Sequence, residues 1–447
     1  MRLLRFLSLC LLASATASCD GAPETRPAKV LFIGVDGATW DIAGPLMASG
    51  EMPNLKALVD RGFASNLATF QPSLSPVIWT TIATGKPKEV HGITDFVNAT
   101  EHGPEPVLSN DRKVRAIWDL LGERDVRVGI VGWWLTWPAE IVNGFMVSSL
   151  SVLEAGLWKG SAYVGMPKQT HPPGWSKDLD LLVQAEQARA AETGKALFGA
   201  LPDDYGTPMQ KRVILDTRAA LLSDQIFFES AKAFWKRDRV PFLAVYSGIV
   251  DVSSHRMWKY YRPKDKPQWR VPLEDVDALG EVIPNAYRWV DRKIGEIVAE
   301  ADPDTLILVA ADHGFHAEMR PGMSEDERSG GHEFALLPGL FVAAGPGVRH
   351  VDLRGDENAE IPSVFDLTPT LLHVFGLPRA ADMQGRVYTG LFTPEHLAAN
   401  PLVAEIPTYE TSPRPTVAIS AEDRAAVSGA KDNVVERLRS LGYLQGK

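Results

Sequence analysis

The chain has 447 residues, of which 45% are hydrophobic and 23% are charged, so it can build a large core and shows no compositional sign of disorder. Its formal net charge is −10 and it contains no basic run, which argues against a nucleic acid polymer as a partner. Length alone allows about three domains, but large α/β enzymes often decorate one core with insertions. We therefore expect one core domain and an insert.

The first residues are predicted to form an export leader. Arg2 and Arg5 precede an apolar run followed by small residues, which is the organisation of a secretory signal peptide. The run is shorter than the ~20 residues that span a bilayer, so an integral membrane protein is not expected. Cys19 follows a Thr-Ala-Ser tripeptide that resembles a bacterial lipoprotein processing site, whereas cleavage after Ala17 would release a soluble protein. We assign 1–19 to this leader and expect an exported protein, either periplasmic, anchored through a lipidated Cys19, or secreted.

The two cysteines both lie in the leader, at Cys10 and Cys19. The mature chain would therefore have neither a disulfide nor a thiolate metal ligand. Any metal ion must then be held by histidines and carboxylates.

Short apolar, β-branched runs alternate along the chain with helix-like stretches. The predicted strands are Val30–Val35, Val126–Val131, Phe242–Tyr246, Leu306–Ala310 and Leu340–Ala344. The predicted helices between them are Asn54–Arg61, Arg115–Leu121, Ile283–Glu300 and Pro369–Phe375. This alternation predicts an α/β fold with a doubly wound, largely parallel sheet.

One segment breaks the alternation, with a Pro-Pro-Gly turn and two long polar helical stretches, Leu181–Leu197 and Pro208–Trp235. We interpret 151–239 as an inserted, mainly helical cap on a core formed by 27–150 and 240–400. Residues 401–447 are predicted to be a linker, around Ile406–Pro415, and a final helix, Val434–Leu441.

Candidate metal ligands occur where predicted strands end, the edge at which open α/β sheets place their sites. Asp36 and Gly37 follow the first strand, although an Asp there could equally cap a turn. Asp251 and His255 follow a later strand, and in a helix their i, i+4 spacing puts both on one face.

Two further placements complete the set. Asp312, His313 and Gly314 follow the strand Thr305–Ala311, so a carboxylate and an imidazole stand side by side. His332 follows two glycines just before the strand at Leu340. Taken singly, each pattern also fits an ordinary structural role, but together they predict a two-metal site.

Ser75 is a candidate nucleophile between these features. It fits the N-cap of an apolar helix with Pro76 at the first helical position. A helix N-terminus favours anions, since free N–H groups bind phosphate oxygens and the dipole stabilises negative charge. A plain N-cap role remains the alternative.

Taken in their order along the chain, these motifs resemble those of the alkaline phosphatase superfamily, and more narrowly those of its type I phosphodiesterase/nucleotide pyrophosphatase branch. The resemblance spans roughly Val30 to Arg386 and also uses Thr84-Gly85 and His91-Gly92-Ile93. It implies two divalent ions, zinc in this superfamily, one held by Asp251, His255 and His332, the other by Asp36, Asp312, His313 and Ser75. It also implies a phospho-Ser75 intermediate.

Two positions depart from that branch, which uses Thr where Ser75 stands and Asn where Phe96 stands. Because that Asn binds a phosphate oxygen, Phe96 weakens inference about the substrate. Trp134 and Trp258 are candidate substrate-binding residues, since aromatic walls suit a nucleobase, sugar or head group, with packing against the insert as the alternative.

The function expected from these residues is extracytoplasmic, metal-dependent hydrolysis of phosphate esters, with phosphodiesters or nucleotide pyrophosphates as substrates. The alternatives are a phosphomonoesterase or phosphonate hydrolase, a head-group phosphotransferase, and a non-catalytic binding protein. The expected partner is a small phosphate ester, with a lipid anchor to the membrane as an option, while the oligomeric state and the exact divalent ion are left open.

Overall fold

A computed structural model describes residues 28–101, 103–149, 167–319, 324–325, 327–332 and 335–423. The predicted leader with Cys19, the first part of the predicted insert and the predicted final helix lie outside these residues. Among the described residues, no helix combines the length and apolar character needed to cross a bilayer.

The described chain contains strands that alternate with helices. The strands are β1 (Lys29–Val35), β2 (Phe63–Leu67), β3 (Val97–Thr100), β4 (Gly103–Pro106), β5 (Val128–Val131), β6 (Gly144–Val147), β7 (Thr170–His171), β8 (Phe242–Ser247), β9 (Thr305–Ala310), β10 (His316–Ala317), β11 (Gly330–Gly331), β12 (Gly339–Ala344) and β13 (Val351–Asp352).

The helices follow the same chain order. They are α1 (Trp40–Ala48), α2 (Pro53–Asp60), α3 (Ser75–Thr84), α4 (Lys88–His91), α5 (Ile117–Gly122), α6 (Ser176–Ala188), α7 (Ala190–Phe198), α8 (Pro208–Asp238), α9 (Ile249–Tyr261), α10 (Leu273–Leu279), α11 (Val282–Val298), α12 (Leu367–Val374) and α13 (Pro394–Ala399).

Nine strands form one sheet in the order β13-β2-β12-β9-β1-β8-β5-β6-β7. The five strands from β9 to β6 run parallel to one another, whereas β12 is antiparallel to both β9 and β2, and β7 is antiparallel to β6. The structure therefore confirms the predicted α/β fold with a largely parallel sheet.

Both faces of the sheet are covered, as side-chain alternation along β1 shows. Leu31 and Ile33 belong to one buried apolar cluster, and Val30 and Phe32 belong to a second cluster on the opposite face. The first cluster includes buried residues of α1, α2, α8, α9 and α11, and the second includes those of α3, α5 and α12. Helices on two faces explain why β1 has no polar residue after Lys29, rather than alternating apolar and polar residues.

The described part of the predicted insert is helical. The predicted helix Leu181–Leu197 is two helices, α6 and α7, separated at Arg189, while Pro208–Trp235 corresponds to the long α8. Helix α8 buries Ile226 and Phe228 in the same cluster as β1 and α9, so it covers a face of the sheet. The division of the chain into core and cap stays a prediction.

The central position of β1 places the candidate site. It pairs in parallel with β8 on one side and with β9 on the other, with Gly34 opposite both Tyr246 and Ala310. The carboxyl ends of these neighbouring strands therefore meet at one edge of the sheet, where all three predicted Asp ligands follow them.

Candidate metal centre

The ends of β1 and β9 bring Asp36, Asp312 and His313 together. His313 Nε2 lies 3.4 Å from Asp36 Oδ1 and 3.3 Å from Asp312 Oδ2. Gly37, at φ +68°, donates its N–H to Asp312 Oδ1 over 3.2 Å, and a Cβ at this position would lie 3.2 Å from Asp251 Cβ. A glycine therefore lets the backbone after Asp36 turn close to the other carboxylates.

Helix α9 carries the second pair of predicted ligands. Asp251 and His255 lie one turn apart, and His255 Nε2 is 3.3 Å from Asp251 Oδ1. His332, from the loop between β11 and β12, places its Nε2 3.6 Å from the same Oδ1 atom. The i, i+4 spacing thus produces the shared face that the sequence predicts.

The two sets of ligands are contiguous through the histidines. The rings of His313 and His332 stack with centroids 3.5 Å apart and an interplanar angle of 14°. Phe315 packs against His255 at 4.7 Å and against His332 at 5.4 Å. All six predicted ligands are fully or almost fully buried in this one cluster.

Hydrogen bonds fix which ring nitrogen of each histidine faces the carboxylates. Nδ1 of His255 lies 3.0 Å from Gly330 O, and Nδ1 of His313 lies 3.0 Å from Gly314 O. Because a carbonyl oxygen only accepts, Nδ1 carries the proton in both rings and Nε2 keeps its lone pair. Nε2 is therefore the atom available to a cation.

In His332 a serine, rather than a carbonyl group, places the ring proton on Nδ1. Ser73 donates its hydroxyl proton to His332 O over 2.8 Å, and His332 Nδ1 lies 3.4 Å from the same Oγ. Since the hydroxyl proton is already used, Ser73 Oγ accepts from Nδ1–H, which again leaves Nε2 free of a proton.

Ser75 lies directly beside the cluster. Its Oγ is 3.4 Å from Asp36 Oδ1 and 3.4 Å from His313 Nε2, and the residue is 1% exposed. Helix α3 begins at Ser75 with Leu74 at the N-cap, one residue earlier than predicted. Pro76 tolerates this shift because proline has no backbone N–H, and the N–H groups of the first helical turn have no partner within the helix.

The three carboxylates perturb one another. Burial and the nearby charge of Asp251 raise the pKa of Asp36. Burial and the charges of Asp36 and Asp251 hold the pKa of Asp312 well above its usual range. Burial opposes ionisation of Asp251 as well, whereas positive charge on the imidazoles of His255 and His332, present when these rings are protonated, lowers its pKa below the usual range. So many buried carboxylates at one point call for a compensating cation.

The donor set fits divalent metal ions. Ligand atoms of Asp36, Asp312 and His313 lie within 4.8 Å of one another, as do those of Asp251, His313 and His332. Asp312 Oδ2 is buried and accepts no hydrogen bond from the described residues. His nitrogen with carboxylate oxygen is a donor set that zinc and several other divalent ions accept. The predicted assignment of three histidines and three aspartates to two ions stays a prediction.

The structure adds three residues that the sequence analysis does not select. Asp36 Oδ2 accepts hydrogen bonds from Tyr246 Oη at 2.6 Å and Trp79 Nε1 at 3.0 Å. Asp224, on α8, accepts from the backbone N–H groups of Gly248 and Ile249 at the start of α9. Only Trp79 carries a usable sequence signal, because it lies one helical turn after Ser75; the others depend on long-range packing.

The predicted aromatic residues occupy different surroundings. Trp134 is half-buried with its Nε1 3.4 Å from Asp36 Oδ2, and it packs edge-on against the buried Phe96 at 5.6 Å. Trp258 is 1% exposed, stacks on Phe315 at 5.7 Å and donates to Asp265. Their predicted contact with substrate stays a prediction.

The largely parallel sheet, with clusters of Asp and His at its strand ends, is the arrangement of an α/β protein with a candidate metal centre. Comparison with known families agrees with this class. The sequence model of the type I phosphodiesterase / nucleotide pyrophosphatase family matches residues 30–326. The chain belongs to this family, as its ordered motifs predict. The family is metal-dependent, in agreement with the Asp/His clusters.

Individual relatives match more distantly. A 2,3-bisphosphoglycerate-independent phosphoglycerate mutase from Thiobacillus denitrificans (strain ATCC 25259 / T1) is 33% identical over 106 residues, which cover 24% of this chain and 19% of the mutase. Human ectonucleotide pyrophosphatase / phosphodiesterase 5 is 13% identical over 82% of this chain and 100% of that chain, with a TM-score of 0.46. Phosphonoacetate hydrolase from Sinorhizobium meliloti 1021 is 17% identical over 68% of this chain and 59% of that chain, with a TM-score of 0.38.

Proposed function

We propose that this protein is an extracytoplasmic, metal-dependent hydrolase of phosphodiesters or nucleotide pyrophosphates that works through a phospho-Ser75 intermediate. The observation that carries the proposal is the position of Ser75 Oγ, 3.4 Å from both Asp36 Oδ1 and His313 Nε2 in a buried Asp/His cluster. Export is supported by the leader pattern at 1–19.

The proposed ligands divide between two ions as the resemblance implies. Asp251, His255 and His332 would hold one ion, and Asp36, Asp312, His313 and Ser75 would hold the other. Zinc at both positions would lower the pKa of the serine hydroxyl and stabilise negative charge on the phosphoryl oxygens.

Ser75 supplies the nucleophile in the proposed reaction. Its Oγ gives up its proton and forms a bond to phosphorus as the bond from phosphorus to the leaving alcohol or phosphate oxygen breaks, and the leaving oxygen takes up the proton. Water then attacks phosphorus, the bond to Ser75 Oγ breaks, and the hydroxyl is restored. The N-terminus of α3 favours the negative charge that collects at this position in both steps.

Trp134 and Phe96 would form the wall next to the reacting group. Trp134 is half-buried and lies beside Asp36, so its exposed part can contact the leaving group of a substrate held at Ser75. Phe96 fixes the Trp134 ring by an edge-on contact. Trp258, which is packed behind Phe315, would act through the position of His255.

Replacement of Ser75 tests the proposal directly. With zinc and bis-p-nitrophenyl phosphate, we expect Ser75→Ala to lose at least about 1,000-fold in kcat/KM while its melting temperature stays near that of the wild type. Ser109→Ala is the matched control, because Ser109 is equally buried but donates to Pro138 O. Full activity in Ser75→Ala would contradict the mechanism.

Three further measurements complete the test. Acid quenching followed by mass spectrometry should find on Ser75 the phosphoryl group still esterified to the p-nitrophenol that does not leave, and relative rates on mono- and diesters would separate a phosphodiesterase from a phosphomonoesterase. Mass spectrometry of the mature N-terminus tests export: a lipidated Cys19 supports the anchor, cleavage after Ala17 supports release, and an unprocessed Met1 would contradict both.

A further inference from the structure

The carboxylate of Asp36 has two oxygen atoms with different surroundings. Oδ1 faces Ser75 Oγ and His313 Nε2, both at 3.4 Å. Oδ2 faces away from them and receives three donors: Tyr246 Oη at 2.6 Å, Trp79 Nε1 at 3.0 Å and Trp134 Nε1 at 3.4 Å. A carboxylate oxygen has about two lone-pair positions, so these donors saturate Oδ2.

The three donors come from separate elements that fix one another. Trp79 is on α3, Tyr246 is on β8, and Trp134 follows β5. The Trp79 ring lies edge-on to Tyr246 at 5.4 Å, and Trp134 lies edge-on to Tyr246 at 6.1 Å. The hydrogen-bond donors are therefore held by ring packing rather than by flexible side chains.

Glycine at position 34 makes room for this arrangement. A Cβ there would lie 2.7 Å from Trp79 Cη2, so the indole lies directly across the backbone of β1, just before Asp36. Gly34 is also the residue opposite Tyr246 in the register of β1 and β8. Close approach at this glycine thus lets Trp79 reach the oxygen that Tyr246 also contacts.

We propose that Tyr246, Trp79 and Trp134 form a clamp that allows Asp36 to bind the metal ion beside Ser75 through Oδ1 alone. This inference rests on the proposed function, in which Asp36 is a ligand of that ion. Hydrogen bonds to the outer oxygen fix the orientation of the carboxylate, and their loss typically weakens metal affinity. Tyr246 and Trp79 are positioning residues, since they act through Asp36, and Trp134 has this role in addition to its proposed contact with the leaving group.

Direct measurement of zinc affinity tests the clamp without using activity. Metal-free protein is titrated with zinc in competition with a chromogenic chelator, so that each of two binding constants is resolved. We expect Tyr246→Phe to weaken the binding of one zinc ion by about 10- to 100-fold and to leave the affinity for the other ion unchanged. The substitution keeps the ring that packs against Trp79 and removes only the hydroxyl.

Tyr388→Phe is the matched control. Tyr388 is 5% exposed and donates to Glu360 O over 2.6 Å, so the substitution removes a tyrosine hydrogen bond of the same length from another part of the fold. Wild-type zinc affinity is expected for this variant. A second test variant and its control cover the case in which Tyr246→Phe does not fold. Trp79→Phe should weaken the binding of one zinc ion. Trp235→Phe, which loses a hydrogen bond to Val240 O, should leave zinc binding unchanged.

Each outcome decides a separate point. Two tightly bound zinc ions in Tyr246→Phe, or equal losses in Tyr388→Phe, would overturn the clamp while the proposed function stands. If Tyr246→Phe loses one ion selectively but the wild-type protein does not cleave phosphate esters, the clamp would be supported and the proposed function overturned. A wild type that binds fewer than two zinc ions would overturn both.

Discussion

Single residues that are not among the predicted ligands also have roles that the structure makes visible. Gly34 illustrates this, because the Trp79 ring occupies the space that a side chain at Gly34 would need. His91 is a second case: it is fully buried at the end of α4, close to the loop that carries Phe96. Both positions yield predictions about stability.

Replacement of Gly34 by alanine should displace Trp79. Because the added Cβ would lie 2.7 Å from the indole, we expect Gly34→Ala to lower the free energy of unfolding by about 1–3 kcal/mol, the usual cost of overpacking. Urea unfolding of metal-free protein measures this. Gly355→Ala is the control, since no atom lies within 4 Å of a Cβ there, and its change should stay within about 0.5 kcal/mol.

The buried imidazole of His91 should make stability depend on pH. Ile93 N–H donates to its Nδ1, so Nε2–H faces Thr81 Oγ1, and neither nitrogen has room for another proton. Burial, with the charge of Arg112, lowers the pKa of His91 to about 3, from 6.5. The unfolded chain therefore takes up a proton below about pH 6.5 that the folded chain refuses.

The expected sign is a loss of stability as the pH falls from about 6.5 towards 3, with a contribution from His91 of up to about 1.4 kcal/mol per pH unit. Urea unfolding at several pH values should show a shallower dependence for His91→Asn, whose side-chain oxygen can still accept from Ile93. The exposed His350→Asn should keep the wild-type slope. Identical slopes in all three proteins would exclude His91 as the cause.

At the scale of elements, the turn between β8 and α9 determines where Asp251 and His255 lie. Asp224 on α8 holds this turn through the N–H groups of Gly248 and Ile249 and through the hydroxyl of Ser247. A segment predicted as an insert thus supports the helix that carries two of the proposed ligands.

Loss of Asp224 should therefore affect both stability and metal binding. Three donors would lose their acceptor in Asp224→Ala, so we expect a cost of about 1–3 kcal/mol in unfolding free energy and weaker binding of the ion assigned to Asp251. Asp291→Ala is the comparison, because Asp291 is 1% exposed and accepts from the backbone of Asn54 and Leu55 at α2. It should lose similar stability yet bind zinc like the wild type, and weaker zinc binding in both variants would argue against a specific role for Asp224.

The same elements show what the sequence alone can predict. Strands such as Val30–Val35 and Leu340–Ala344 are predicted to within one residue, because buried parallel strands carry long apolar runs with turn residues at their ends. The split at Arg189 and the start of α3 at Ser75 are missed, since a one-residue change in hydrogen bonding leaves the periodicity intact. Five of the six predicted ligands are selected because they follow predicted strands, and His332 because it follows two glycines just before one. Tyr246 and Asp224, in contrast, gain their roles only when distant segments pack together.

At the scale of the whole molecule, the segment predicted as a linker is bound to the fold by charged groups. Arg414 pairs with Glu140, which also pairs with Arg112, and Arg112 reaches Asp119. The side chains of Arg414, Glu140 and Arg112 are at most 5% exposed. Opposite charges balance in this buried group, so loss of one member leaves an uncompensated charge.

Arg414→Leu should consequently destabilise the protein by about 3–5 kcal/mol, as measured by urea unfolding. Arg386→Leu provides the contrast, because Arg386 and its partner Glu360 are 63% and 69% exposed, and the expected change is below about 1 kcal/mol. Equal effects of the two substitutions would show that the buried group does not hold the segment.

The central place of β1 has a consequence for how the protein is made. This strand leaves the ribosome among the first described residues, yet its partners in the sheet are Phe242–Ser247 and Thr305–Ala310, which are synthesised much later. Until then both edges of an apolar strand lack their partners, the condition under which nascent chains aggregate. We expect the growing chain to depend on chaperone binding near Val30–Val35, and fragments that end before Phe242 to be insoluble.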